Sequence, residues 1–105
     1  MQNTNLYLRT SSSLPFTVAN NYIDRHDAGL SGVQGAEALV KLLRTQRSIH
    51  HLILGHNSLG DTGCIALFDY LRSEEGNKHA LLEISLNANN IGDPGLWAIA
   101  RYQGL

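Results

Sequence analysis

The side chains best suited to metal binding or nucleophilic catalysis are five histidines and one cysteine. These residues are His26, His50, His51, His56, His79 and Cys64. No His-x-x-x-His pair occurs, and one cysteine is too few for a structural zinc site, so we expect no metal ion. The histidines are expected to lie on the polar surface, with His26 and His51 on one strand face and His56 in the turn that follows.

A cysteine near a histidine can act as a nucleophile, which leaves a hydrolase that uses Cys64 or a His as an alternative function. Cys64 occupies the position that Ala36 and Leu96 hold in the repeated units described below. Such a position is typical of the apolar core, where cysteine behaves as a small hydrophobic side chain. We therefore expect Cys64 to be buried and the protein not to be an enzyme.

Three glycines, Gly29-x-x-Gly32-x-x-Gly35, lie between a predicted strand and a predicted helix, the place where phosphate-binding loops also occur. Their spacing differs from Gly-x-Gly-x-x-Gly, and no Gly-x-x-x-x-Gly-Lys is present. The same turn recurs at Gly60 and Gly63 and again one unit later. The pattern therefore predicts a structural turn, and we expect no cofactor.

The chain is organised by a repeated segment that is first clear between Leu52 and Leu71. Seven of its positions recur as similar residues 32 positions later (86 − 54 = 32). The pairs are Leu54/Leu86, Asn57/Asn89, Leu59/Ile91, Asp61/Asp93, Gly63/Gly95, Leu67/Ile99 and Tyr70/Tyr102. A fixed period of this length is typical of repeat architectures, in which each unit stacks on its neighbours to bury its apolar face.

Residues 20–48 carry a less regular first copy of the unit. Its matching residues are Ile23, Leu30, Gly35, Leu39 and Leu43, which correspond to Leu52, Leu59, Gly63, Leu67 and Leu71. Arg25 stands in the place of Leu54 and Ala28 in the place of Asn57, so we expect this copy to be irregular. The three predicted repeats are residues 20–48, 49–80 and 81–105.

Each repeat is predicted to form a short strand, a turn and a helix. We expect the strand of the second repeat near 51–54 and the helix of the first at 33–45. Asp61 and Asp93 are expected to cap the helices that they begin, because a carboxylate there can accept hydrogen bonds from backbone N–H groups of the first turn. The side chains predicted to face the core are Cys64, Leu67, Phe68 and Leu71 in the second helix and Leu96, Ile99 and Ala100 in the third.

Both ends of the chain are expected to depart from the repeat. Residues 1–19 are polar and are expected either to cap the open end of the first repeat or to be disordered, although Leu6 and Leu8 alternate as in a short strand. No polar closing unit follows the third helix before Leu105. We therefore expect an apolar edge that continues into a longer repeat array or mediates self-association, with Trp97 contacting the next unit.

The composition excludes several classes of partner. The formal net charge is −1 and no run of Lys or Arg occurs, so we expect no nucleic-acid partner. No apolar run approaches the roughly 20 residues that cross a bilayer, and we expect no membrane partner. A single cysteine favours a reducing compartment, and we expect a cytoplasmic location.

The second and third repeats carry a specific motif. It reads Leu52-x-Leu54-x-x-Asn57-x-Leu59-Gly60-Asp61-x-Gly63, then Ile84-x-Leu86-x-x-Asn89-x-Ile91-Gly92-Asp93-x-Gly95. The chain resembles leucine-rich repeat proteins of the ribonuclease-inhibitor-like class over residues 20–105. The resemblance implies an α/β solenoid, a fragment of a βα horseshoe with parallel strands on the concave side and helices on the convex side. It also implies binding of another protein without a cofactor. Regulation of a small GTPase is an alternative that needs an exposed loop arginine, for which Arg25 is the candidate.

The predicted concave face is the best candidate for a binding surface. Strand residues alternate between the two faces of a sheet, so apolar Leu52 and Leu54 point inward and their neighbours point outward. The residues predicted to bind the partner are Tyr22, Asp24, His26, His51, Ile53, Glu83, Ser85 and Asn87. A tyrosine among polar groups suits protein recognition, and the alternative is a polar surface that binds nothing in particular.

Overall fold

A computed structural model describes residues 6–9, 22–79 and 81–102 of the chain. The elements in chain order are β1 (Tyr7–Arg9), β2 (Tyr22–Asp24), α1 (Gly32–Arg44), β3 (His51–Ile53), α2 (Gly60–Arg72), a short 3-10 helix (Gly76–Lys78), β4 (Glu83–Ser85) and α3 (Asp93–Tyr102). Strand and helix alternate from β2 onward, as the periodicity predicts. The helix expected at 33–45 and the strand expected at 51–54 each lie within one residue of the predicted bounds.

The four strands form one sheet in the order β1-β4-β3-β2. β2, β3 and β4 are parallel and in register, so that Ile23, Leu52 and Ile84 lie side by side. β1 pairs with β4 in the antiparallel direction. The resemblance implied a purely parallel sheet, but the sheet is mixed. The reason is that β1, a strand from outside the repeats, pairs with the free edge of β4.

The expectation that the N-terminal segment covers the first repeat is wrong for the part that the structure describes. Most of residues 1–19 lies outside the described residues. Tyr7–Arg9, however, pairs with β4 of the third repeat, at the opposite end of the sheet from β2. An unpaired strand edge presents open backbone hydrogen-bonding groups, and β1 satisfies part of that edge.

The core lies between the sheet and the helices, and α2 packs between α1 and α3. The four residues predicted to point inward from α2, Cys64, Leu67, Phe68 and Leu71, are all buried, which confirms that prediction. In α3, Ile99 is buried as predicted, but Leu96 remains 36% exposed and Ala98 is buried instead. Ala100 is half-buried. Leu96 occupies the position that Cys64 has in α2, but whereas Cys64 faces α3, no described residue covers the same side of α3.

Two asparagines tie each repeat to the one before it. Asn57 accepts hydrogen bonds from the backbone N–H groups of Ala28 and Leu30 at 2.9 and 3.0 Å, and its amide donates to the Arg25 carbonyl at 2.9 Å. Asn89 acts in the same way one repeat later. Because these bonds satisfy backbone groups that the turns leave unpaired, they set the position of each turn against its neighbour.

Asp61 acts in the opposite direction, which corrects its expected role. Its carboxylate does not cap α2, whose start has no side-chain cap. Asp61 Oδ1 instead accepts from the N–H groups of Gly92 and Gly95, at 2.8 and 2.9 Å, where α3 begins. The aspartate therefore stabilises the helix of the next repeat, where its charge also complements the positive helix end. Asp93 lies inside its own helix and makes no side-chain hydrogen bond with any described residue.

Candidate protein-binding face

Six of the eight residues predicted to bind a partner lie on the outer sheet face, the side of the sheet that points away from the helices, whereas His26 and Asn87 follow the ends of β2 and β4. The middle residue of each repeat strand is buried in the core, so its two neighbours point outward. The parallel register then aligns them into rows across the sheet. One row contains Tyr22, His51 and Glu83, and the next contains Asp24, Ile53 and Ser85.

The first row is joined by direct contacts. The rings of Tyr22 and His51 stack, with centroids 4.2 Å apart and planes inclined by 12°. His51 Nδ1 then forms a hydrogen bond with Glu83 Oε1. Glu83 Oε2 accepts a hydrogen bond from the Tyr7 hydroxyl of β1. A continuous set of four side chains therefore crosses all four strands of the sheet.

The centre and the ends of this row differ in exposure. His51 and Glu83 are largely buried, and His51 Nε2 has no hydrogen-bond partner within the described residues. Tyr22 is 59% exposed and Tyr7 is 50% exposed. The largely buried pair therefore positions two accessible aromatic rings on one face: Tyr22 stacks on His51, and Tyr7 donates a hydrogen bond to Glu83.

A second cluster lies where β2 ends. The backbone N–H of His26 donates to Asp24 Oδ1 at 3.1 Å, and His26 Nδ1 lies 2.6 Å from the same oxygen. The hydrogen bond to Asp24 raises the pKa of His26, and the hydrogen bond from His26 lowers the pKa of Asp24. Arg25 is exposed beside them, and its guanidinium donates to the Asp24 carbonyl at 3.0 Å. Both side chains of the pair are exposed, so solvent screens their attraction.

The remaining predicted residues lie at the end of β4. The Ser85 hydroxyl and Asn87 Oδ1 are 2.6 Å apart and share a hydrogen bond. The Asn87 side chain covers Gly55, where an added Cβ would meet Asn87 Nδ2 at 3.3 Å. Gly55 is therefore buried, although strand alternation alone predicts that it points outward.

Tyr7 is the member of this face that sequence reasoning missed. The alternation of Leu6 and Leu8 indicated a short strand, but Tyr7 was not assigned to a face. Nothing in the repeat pattern, however, indicated which strand would pair with it. Tyr7 pairs with Ser85 because β4 has a free edge in the sheet. Which strand has a free edge depends on the order of the strands, and this order is given by the three-dimensional structure.

The expectation that the histidines lie on the polar surface is wrong for His50 and His79, which are both buried. His79 is held inside the protein because its Nδ1 accepts the Ile49 N–H at 3.0 Å.

Other candidates for chemistry have structural explanations. Cys64 is buried, its thiol lies 3.5 Å from the Gly95 carbonyl, and burial raises its pKa to about 12. A thiol in this state is protonated at neutral pH and is a weak nucleophile. In the glycine-rich turn, the Gly32 N–H donates to the Ser58 carbonyl at 3.0 Å, so this amide links two repeats.

Metal and membrane sites are not indicated by the described part of the chain. Among residues 6–9, 22–79 and 81–102, no group of three or more His, Cys, Asp or Glu side chains could hold a metal ion. Within those residues, no helix has the length and apolar character that crossing a bilayer requires.

Comparison with known proteins agrees with the repeated unit. No curated protein and no solved structure matches the chain. A family model for the leucine-rich repeat matches residues 45–68 and 77–100. These two matches begin 32 residues apart (77 − 45 = 32), which is the period seen in the sequence. Leucine-rich repeats are generally protein-interaction modules and are typically not catalytic. Two segments of the chain therefore match the leucine-rich repeat model, and each contains one of the parallel strands β3 and β4 and most of the helix that follows it.

Proposed function

We propose that the chain is a protein-interaction module that binds another protein on the outer sheet face. One observation carries this proposal: two exposed tyrosines, Tyr7 and Tyr22, flank the largely buried His51–Glu83 pair on one face of the sheet. Aromatic side chains of this kind commonly provide most of the binding energy of protein interfaces. The leucine-rich repeats support the proposal, since protein binding is their general role.

The contacts within the row favour a rigid binding surface. Stacking on His51 restricts the Tyr22 ring, and the hydrogen bond to Glu83 restricts Tyr7. Less conformational entropy is then lost when a partner covers these rings. We propose further that this face is concave, that the repeats are of the ribonuclease-inhibitor-like class, and that they form part of a longer array.

The test is affinity capture with the purified chain, followed by mass spectrometry of the recovered proteins. A variant carrying Tyr22→Ala, His51→Ala and Glu83→Ala should lose the partner, because it lacks the stacked ring and the pair that supports it. The matched control is Val33→Ala, which removes an exposed apolar side chain from α1. Circular dichroism spectra should be the same for all three chains. Equal recovery of the same partner by the triple variant would show that the outer sheet face does not bind it.

A further inference from the structure

The end of the repeat stack at β4 and α3 is closed on the sheet side and open on the helix side. On the sheet side, the Leu54 N–H donates to the Ser85 carbonyl of the following strand at 2.8 Å. The equivalent Leu86 N–H donates to the Leu6 carbonyl beside β1, also at 2.8 Å. The N-terminal segment thus takes the position that the strand of a following repeat would take.

On the helix side, nothing in the described residues covers the equivalent positions. Asp61 and Cys64 of α2 contact the start of α3, and Asp61 accepts two backbone hydrogen bonds there. Their counterparts Asp93 and Leu96 line an open groove of about 310 Å³ together with Trp97. Leu96 is 36% exposed and Trp97 is 67% exposed.

The contact between α2 and α3 shows what would fit this groove. The covering segment there is a helix start with a glycine at Gly95, where an added Cβ would meet Asp61 Oδ1 at 2.9 Å. It also provides the N–H groups of Gly92 and Gly95, from which Asp61 accepts hydrogen bonds. The turn before this helix provides Asn89, whose amide donates to the Leu54 carbonyl at 2.7 Å. The groove on α3 offers the same acceptor, the Asp93 carboxylate, and an apolar floor.

We infer that this end is a docking site for a further leucine-rich repeat, and that the strand of that repeat replaces β1 while its Gly-x-x-Gly helix start covers Asp93, Leu96 and Trp97. This inference rests on the longer array proposed above, and it involves the protein-binding face because β1 belongs to both surfaces. Exchange would also remove Tyr7 from Glu83, which links the two surfaces.

The first repeat of a second copy does not fit the groove as well. Its position equivalent to Asn89 is Ala28, which has no amide to donate. Its Gly32 and Gly35 N–H groups already donate to the carbonyls of Ser58 and Ser31, at 3.0 and 2.8 Å. The occupant is therefore a repeat that resembles residues 84–95 rather than another copy of the chain.

The test extends the full chain by a second copy of residues 74–102 placed directly after Leu105, which keeps the 32-residue period (106 − 74 = 32). Trp97→Phe in the added copy leaves the original Trp97 as the fluorescent reporter. We expect Trp97 emission to shift to shorter wavelength and to lose acrylamide quenching. The backbone amides of residues 7–9 should exchange with solvent at least about tenfold faster, because β1 is released.

Two variants of the extended chain sharpen the result. Asp93→Ala should restore part of the acrylamide quenching, because the added helix start loses its acceptor. Tyr7→Cys with Ser85→Cys, which are opposite each other in the β1–β4 pair, should form a disulfide that holds β1 in place. In the oxidised form Trp97 should remain quenchable, and reduction should restore its protection.

Several outcomes would overturn the inference. One is a Trp97 that is as accessible in the extended chain as in the original. Another is a covered Trp97 with the amides of residues 7–9 still protected, since the added repeat would then dock without strand exchange. Self-association of the unextended chain that buries Trp97 would identify a second copy as the occupant instead.

Discussion

At the scale of single residues, Asn89 shows how much of this fold depends on a few buried amides. Its side chain is fully buried, donates to the carbonyls of Leu54 and Leu86 at 2.7 and 3.1 Å, and accepts from the Leu59 N–H at 3.2 Å. Three backbone groups from two repeats therefore rely on one side chain.

We predict that Asn89→Ala destabilises the protein by about 1–3 kcal/mol through the unsatisfied Leu59 N–H alone. Urea denaturation followed by circular dichroism measures this change. Asn77→Ala is the matched control, because Asn77 is exposed in the 3-10 helix and its removal should change stability by less than about 0.5 kcal/mol. Similar values for the two variants would contradict a special role for the Asn89 amide.

His79 predicts a loss of stability in acid. It is buried, its Nδ1 accepts the Ile49 N–H at 3.0 Å, and burial lowers its pKa below 6.5, with the nearby Lys78 charge acting in the same direction. The unfolded chain therefore binds a proton at higher pH than the folded chain does. The contribution of neutral His79 is present above about pH 6.5 and is lost as the pH falls below that value.

The measurement is the free energy of unfolding at several pH values between about 7 and 5. His79→Asn keeps an acceptor for the Ile49 N–H but has no group that titrates in this range. As the pH decreases, the free energy of unfolding of this variant should fall less steeply than that of the original chain. The raised pKa of His26 affects both chains equally and cancels in the difference. Parallel profiles would show that His79 does not titrate with folding.

At the scale of elements, the two helices α2 and α3 are joined by the Asp61 carboxylate. Sequence reasoning recognised the aspartate at a helix start but assigned it to the wrong helix. A local pattern identifies which groups need a partner, whereas the choice between the N–H groups of two adjacent helices depends on how the repeats stack. Stacking also explains the outcome in α3, where both Ile99 and Leu96 were predicted to be buried. Ile99 is buried, whereas Leu96 would need a neighbouring helix to cover it and remains 36% exposed.

We predict a graded loss of stability in the series Asp61→Asn and Asp61→Ala. The first change keeps an acceptor but removes the charge at the start of α3, while the second leaves the Gly92 and Gly95 N–H groups without their partner, which costs about 1–3 kcal/mol for each buried group. The control is Asp93→Ala, which should cost less than about 1 kcal/mol, the interaction of its charge with its own helix end. Chemical denaturation compares the three variants. An Asp61→Ala chain as stable as the Asp93→Ala chain would exclude the inter-helix role.

At the scale of the whole molecule, the periodic part of the sequence was enough to predict the alternation of elements, the parallel register of three strands and the set of side chains on the outer sheet face. These features follow from repeated apolar spacing, which constrains each unit in the same way. The position of β1 did not follow, because it belongs to no repeat and its three residues carry too little pattern to identify a partner strand. The Tyr7 contact to Glu83 could not be predicted for the same reason.

We expect the chain to unfold as one cooperative unit, because α2 lies between α1 and α3 and neither outer repeat has a core of its own. Trp97 fluorescence reports on α3, whereas far-ultraviolet circular dichroism reports on all helices. The two signals should give the same denaturation midpoint, in the original chain and in Leu67→Ala, which removes a buried side chain from α2. Separate midpoints would show that the third repeat unfolds by itself.

Hydrogen bonds between neighbouring repeats are made by side chains of both, such as Asn89 in one repeat and Asp61 in the repeat before it. This limits which repeats can be duplicated to give a longer chain. Asn57 and Asn89 each contact the preceding unit, so a duplicated copy of either unit would bring its own attachment to a new neighbour. A copy of the first unit would arrive with Ala28 and would lack that attachment. We therefore expect evolutionary expansion of this sequence to copy the second and third units rather than the first.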